Sequence, residues 1–230
     1  MWYTGVLFPS ETGAIRMTSS AENEKLTRGH KKKARTRQQL LDAALKIYAH
    51  KGAGELALNE LAQEAGVSNG TVYNYFRTKE EVLDAVSLAQ AEALSHEVAL
   101  ISRGVADGAE RVAIGIRAFI RRAAQDHEWA SALINIVRYA EGMRSALGDY
   151  VRHDVRTGLS QGQFDYSSED LAIRLLVSGV ISAMIAIVEG RYENGDDSTV
   201  AAMLLQALGM ARPQALLVAV KALPSLPVEE

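Results

Sequence analysis

Cysteine is absent from this 230-residue chain, which excludes disulfides, thiol nucleophiles and cysteine-built zinc sites. Proline is scarce at four residues, and β-branched residues do not alternate over long runs, so the whole chain reads as helical. The most apolar stretch, LLVSGVISAMIAIV from Leu175 to Val188, falls short of the roughly 20 residues of a membrane span and is bracketed by Arg174 and Glu189. A buried core helix is expected there, and no membrane association. The segment from Met1 to Ile15 lacks the basic start and long apolar run of a signal peptide, so export is not expected and the cytoplasm is the expected compartment. Met17 is a candidate alternative start. The histidines His30, His50, His96, His127 and His153 form no HExxH pair. No glycine-rich phosphate loop follows a strand, and no G-x-S-x-G elbow occurs. Asp126-His127-Glu128 and His153-Asp154 set acids beside imidazoles, but sequence neighbours point to different helix faces. No metal, cofactor or catalysis is therefore expected; a helical enzyme stays open as the reading that substrate turnover would reveal.

Charge, by contrast, is present and segregated. Residues 28–79 carry ten Lys or Arg against four Asp or Glu, whereas residues 80–230 carry 13 against 21. A net charge of −3 thus hides a basic head on an acidic body, the pattern of a chain that meets phosphate at one end. With 48% hydrophobic residues there is enough apolar surface for one small and one larger core.

Within the basic head, LALNELAQEAGVSNGTVYNYFRTKEEVL from Leu56 to Leu83 reads as two short amphipathic helices about a glycine turn. Leu58, Leu61, Ala62 and Ala65 form one apolar stripe opposite Asn59, Glu60, Gln63 and Glu64. Gly66 is a candidate left-handed residue closing that helix, and Ser68 a candidate cap for the next. In the second helix Val72, Tyr75 and Phe76 share one face, and Gly70, Tyr73, Asn74 and Arg77 the other, which is free of acid. Gly70 within a helix costs up to about 1 kcal/mol relative to Ala; close approach to a DNA strand accounts for it. Thr36 with Gln39, and Thr78 with Glu81, have capping-box spacing for the first and fourth helices, and Leu41, Ala44, Leu45 and Tyr48 supply the first helix's core stripe. The His30–Arg37 run HKKKARTR is a solvated cluster or a source of phosphate or minor-groove contacts.

The AGVS turn (Ala65–Ser68), the G-T-V-Y-x-Y-F run (Gly70–Phe76), Lys79 and the segment RTRQQLLDAALKIYAHKG (Arg35–Gly52) together resemble the DNA-binding domain of the TetR/AcrR family of bacterial regulators. One departure is Ala57, where the family usually has a capping Thr or Ser. The resemblance implies an all-α fold: a flexible basic-ended arm over 1–33, a three-helix DNA-binding domain over 34–94 with its helix-turn-helix at 57–76, a helical ligand-binding and dimerisation domain over 95–223, and a tail over 224–230. It implies a homodimeric transcriptional repressor that binds a palindromic double-stranded operator and is released by a small-molecule effector. The expected DNA-binding residues are Ser68, Asn69, Gly70, Thr71, Tyr73 and Asn74 in the groove, with Arg37, Tyr75 and Lys79 near the backbone. Lys79 in a first helical turn opposes the helix dipole, a conflict that a bound phosphate would remove. A ligand-independent architectural DNA binder is the alternative, against which stands the long apolar body.

Beyond Gly104 further helices are expected at about 107–125, 127–141, 143–161, 168–190, 197–211 and 213–222, with Pro213 at a first helical position. Ser178, Ser182 and Ala186, flanked by Gly179 and Ala183, make a strip of small residues. With Val200, Met203, Leu204, Ala207 and Leu208 of the following helix it offers a four-helix dimer interface or, alternatively, intrachain core. Phe119, Trp129, Leu133, Ile136, Tyr139, Met143, Tyr150 and Met184 are candidate ligand contacts, each alternatively plain core. Arg121, Arg122, Arg138 and His153 are candidates for orienting an acidic ligand.

Overall fold

The computed structural model describes residues 28–193 and 195–223, and only the backbone of Arg28 and residues 141–146. The arm before residue 28, the start at Met17, the tail 224–230 and the Met143 side chain lie outside the described residues. Among the described residues there are ten α-helices and no strand. They are α1 (Arg28–Lys51), α2 (Leu58–Glu64), α3 (Asn69–Tyr73), α4 (Lys79–Ile101), α5 (Gly108–Gln125), α6 (His127–Tyr139), α7 (Glu141–Ser160), α8 (Glu169–Val188), α9 (Asp196–Ala207) and α10 (Arg212–Ala219), with a 3-10 turn at Ala53–Glu55. The all-α expectation holds.

The first helix departs from its expected start. It is already helical at Arg28, so Thr36 sits eight residues inside it and its Oγ1 donates to the Lys32 carbonyl at 3.1 Å. Gln39 reaches away from the helix and donates to the Ala65 carbonyl at 2.6 Å, tying α1 to the end of α2. A capping box is only a local option, and the run of Lys, Ala and Arg before Thr36 consists of good helix formers that let the helix continue. Residues 28–33 are accordingly helix rather than arm. Inward, Leu40, Leu41, Ala44, Ile47 and Tyr48 are buried, with Leu45 half-buried.

The turn between α2 and α3 forms as its residues dictate. Gly66 adopts φ 63°, its N–H bonds to Gln63 O, and the Val67 N–H bonds to Ala62 O, the paired bonds of a Schellman stop. Ser68 then caps α3, its Oγ accepting from the Thr71 N–H at 3.1 Å. Ala57 makes no side-chain cap. Thr78 caps α4 through the Glu81 N–H at 3.2 Å, but the Glu81 carboxylate accepts from Arg77 N at 2.7 Å, so the reciprocal half of that box is shifted by one residue.

The longer helix α4 continues unbroken across residues 94 and 95 and packs on α1, α5 and α7. The head seats on the body mainly through α1 against α6, where Asn135 Nδ2 donates to the Tyr48 carbonyl at 2.9 Å. In the body α5 is the hub, packed on α6, α7, α8, α9 and α10. Its Asp107 cap accepts from the Glu110 N–H at 2.8 Å, and Asp126 caps α6 through the Trp129 N–H at 2.9 Å. Pro213 lies one residue inside α10, which starts at Arg212.

Helix α8 corrects the buried-helix expectation. It is 20 residues long and by length and composition apolar enough to cross a membrane, yet only a third of its most apolar 18 residues is buried within the chain. Leu171, Leu175, Ser178 and Ser182, at i, i+4, i+7 and i+11, are exposed along one stripe. The small-residue strip splits between two faces: Gly179 lies against Leu204 of α9, so close that an added Cβ would stand 2.5 Å from its Cδ2, while Ser178 and Ser182 face outward. Likewise Leu204 and Leu208 are buried within the chain, whereas Met203 is 64% exposed and Ala207 is exposed.

Candidate functional site

Two separate places carry chemistry: the face around α3 and a cavity in the body. At the first, Val72 and Phe76 are fully or almost fully buried and anchor α3 from below. Asn69, Gly70, Tyr73 and Asn74 are exposed on the outer side, Thr71 half-buried beside them, and Tyr73 is 57% exposed, a large aromatic area with no intrachain use. Ser68 Oγ and Thr71 Oγ1 lie 2.9 Å apart, so both hydroxyls are engaged at the helix start. Asn74 ends the helix, its N–H bonding back to Gly70 and Thr71 carbonyls. These six residues form one continuous surface.

The three residues expected near the DNA backbone flank that surface in different ways. Tyr75 is half-buried and its hydroxyl donates to the Lys33 carbonyl at 3.1 Å, which fixes the basic first turns of α1 beside the end of α3. Arg37, one turn after Lys33, is exposed. Lys79 is exposed and its Nζ donates to the Gly54 carbonyl at 3.1 Å, so within the chain a backbone carbonyl takes the hydrogen bond expected for phosphate. Exposed Lys31, Lys32, Lys33 and Arg35 extend the same positive margin.

Gly70 has no structural reason to lack a side chain. An added Cβ would meet only Ser68 Oγ, at 3.9 Å, and its φ is not left-handed. Gly70→Ala is therefore expected to raise head stability by up to about 1 kcal/mol, read in thermal unfolding, while weakening affinity for target DNA in anisotropy titrations. An alanine variant with unchanged DNA affinity would remove close backbone approach as the explanation for this glycine.

The second place is a cavity of about 150 Å³ between α4, α5, α7 and α8. Leu94, Ser95 and Val98 of α4 form part of its wall, so the helix that begins in the head also lines the cavity of the body. Of the expected ligand contacts, Phe119 and Tyr150 line it. Trp129, Leu133, Ile136 and Met184 do not: they are buried among packed helices, since the periodicity that marks a helix's inner face is the same for core and for cavity wall. Tyr139 is 57% exposed and lies beside Gly54, at the junction of head and body.

Two of the expected polar contacts are engaged elsewhere. Arg121 pairs with Asp197 at 2.7 Å, and Arg122 pairs with Glu97 at 2.6 Å while lying 4.4 Å over the Trp129 ring. Neither they, Arg138 nor His153 line the cavity. In their place stand Arg111 and Asp154, joined at 2.6 Å, which the sequence reading missed. They lie 43 residues apart on different helices, and no local pattern links them.

Comparisons with known proteins bear on both places. A profile described as "Bacterial regulatory proteins, tetR family" matches residues 40–86, and one described as "Tetracyclin repressor-like, C-terminal domain" matches residues 107–221. The chain is 45% identical over 51 residues to the HTH-type transcriptional regulator SrpR of Pseudomonas putida, covering 22% of this chain and 24% of that protein. It is 30% identical over 109 residues to the HTH-type transcriptional regulator BetI of Rhizobium meliloti, covering 47% and 53%. These matches thus span a quarter to a half of the relatives' lengths. The crystal structure of RolR in complex with resorcinol superposes with a TM-score of 0.66 at 26% identity, covering 85% of this chain and 98% of that one.

Proposed function

This chain belongs to the tetR family of bacterial regulatory proteins, and from that premise we propose that it is a dimeric, ligand-responsive repressor acting in the cytoplasm on a palindromic operator. The observation that carries the reading is the exposed, acid-free face of α3 set on buried Val72 and Phe76 and bordered by the basic turns of α1. Such a face suits a major groove, where amides read base edges and cations sit on phosphates. Asn69 and Asn74 are assigned to bases, because an amide pairs bidentately with adenine. Ser68, Gly70, Thr71 and Tyr73 fit the groove wall, and Arg37, Tyr75 and Lys79 the backbone.

A second copy of the chain is assigned to the uncovered stripe of α8 and the adjoining Met203 and Ala207 of α9. Leu171, Leu175 and Met203 are 67%, 48% and 64% exposed in one chain, and packing them against their symmetry mates makes a four-helix contact. Two linked heads then read two half-sites. Regulation follows from α4: its Lys79 end belongs to the head and its Leu94–Ala99 turns line the cavity, so a bound molecule that shifts α4 changes the spacing of the heads. That RolR holds resorcinol supports a small-molecule effector.

Footprinting on the chain's own promoter tests the reading. A short protected palindrome is expected; uniform coating without preference would point instead to an architectural binder. Within the site, Lys79→Ala is expected to weaken all sequences alike and to reduce the salt slope by about one unit. Asn74→Ala is expected to relax preference at one base pair per half-site, by about 1–3 kcal/mol of discrimination. Unchanged base preference would contradict its assignment.

A further inference from the structure

We infer that the body cavity takes an uncharged molecule of one six-membered ring carrying a hydroxyl group, whose O–H donates to Asp154. This rests on the reading of the cavity as an effector site and adds the chemistry of the effector. Size is the first observation. A cavity of about 150 Å³ walled by Val112, Ile116, Phe119, Leu176 and Ile181 matches the volume and lining in which a single benzene-sized ring is held.

Charge is the second. Among the described residues, the ionised groups in the wall are Arg111 and Asp154, and they cancel. Arg111 Nε donates to Asp154 Oδ1 at 2.6 Å, and its Nη1 donates to the Ser102 carbonyl at 3.1 Å. Asp154 is 6% exposed. A ligand carboxylate would bring an unmatched negative charge beside this carboxylate in apolar surroundings, and a ligand ammonium would sit beside the guanidinium.

Hydrogen bonding is the third. An ionised carboxylate accepts about four hydrogen bonds, of which Arg111 takes one. A ligand O–H is the complement, and its bond to a charged acceptor is stronger than one between neutral partners. Since Asp154 belongs to α7 and the facing wall to α4 and α5, the hydroxyl end fixes which way the ring lies in the cavity.

Titration calorimetry of the full chain with phenol, toluene and benzoate, three rings of matched size, tests this. Phenol is expected to bind about 10-fold more tightly than toluene, and benzoate to give no saturable heat. Asp154→Asn leaves Arg111 unopposed, so it is expected to narrow the margin of phenol over toluene and to admit benzoate. Because that variant alters a buried ion pair, Gly115→Leu serves as the independent arm: Gly115 lines the cavity and an added Cβ there meets only Val98 Cγ1, at an ordinary 3.7 Å, so a leucine is expected to occupy the cavity, with far-UV circular dichroism checking that the fold is kept. It is expected to abolish phenol binding. Absent phenol binding, toluene equal to phenol, benzoate as tight as phenol in the unaltered chain, or phenol binding untouched by Gly115→Leu each overturns the inference. Anisotropy of a promoter duplex scores the effector reading separately. Phenol bound with DNA affinity unchanged removes that reading and leaves the cavity chemistry standing, whereas release of DNA by benzoate keeps the reading and removes the inference.

Discussion

Leu175→Glu is expected to turn the dimer into single chains and to lower operator affinity by about 10²–10⁴-fold, the range by which a linked second module raises binding. Leu175 lies at the centre of the uncovered α8 stripe and is 48% exposed within one chain, so a carboxylate there meets water in the monomer and the chain's own fold is preserved. In a two-fold contact the stripe packs against the same stripe of the partner, so each glutamate would be buried, without a counter-charge, in an apolar interface. Sedimentation and a mobility shift on the promoter duplex read the two halves of the claim. Far-UV circular dichroism should stay at the parent value. A Leu175→Glu protein that sediments as a dimer would place the interface elsewhere; one that is monomeric yet binds the promoter with undiminished affinity would separate dimerisation from DNA recognition.

How much of this was legible beforehand differs between head and body, for a physical reason. The turn of the head is specified by residues next to one another: Gly66 stops α2, Ser68 starts α3, and Val72 and Phe76 supply the buried side. Local signals of that kind survive in a linear reading. Where the local rule competed with its context, it failed: Thr36 and Gln39 have the spacing of a cap, but the residues before them propagate helix, and Gln39 found its partner 26 residues away at Ala65. In the body, helix limits were close to those observed because caps and breakers are also local, as at Asp107 and Asp126. The division of apolar faces was not legible. Periodicity marks Leu133, Met184 and Leu176 alike as inward, and only the three-dimensional crossing of helices makes one of them a cavity wall and the others solid core. The same holds for Gly179 and Ser178, adjacent residues of which one meets α9 and the other solvent. Arg111 and Asp154 illustrate the limit most clearly, since each alone is an ordinary surface-type residue and only their pairing inside an apolar wall gives them a role.

The largest effect on folding is expected from Asp197→Ala, a loss of about 3–5 kcal/mol read as a lowered denaturant midpoint. Asp197 is 4% exposed at the start of α9 and accepts from Arg117 Nε at 3.1 Å and Arg121 Nε at 2.7 Å. Arg117 is also 4% exposed and donates its Nη1 to the Lys221 carbonyl, so one buried guanidinium joins α5, α9 and the end of α10. Removing the carboxylate strands that cation where water cannot reach it. Arg121 has a side chain 47% exposed, so Arg121→Ala should cost no more than about 1 kcal/mol; equal losses from the two variants would contradict the buried-charge account. Replacing both members, Arg117→Met with Asp197→Leu, should recover most of the loss, because the penalty lies in the unpaired charge rather than in forfeited attraction. Acidity supplies an independent check with a fixed sign. Burial acts to raise the Asp197 carboxyl, but hydrogen bonds and charge from Arg117 and Arg121 outweigh it and hold the pKa below the ordinary 3.8. A carboxyl depressed in the folded state contributes fully above its unfolded value and loses that contribution as pH falls through the depressed one. The stability gap between the parent chain and Asp197→Ala should thus be constant near neutrality and close only below about pH 4. A gap that widens on acidification would show that Asp197 is not held as the anion between its two arginines.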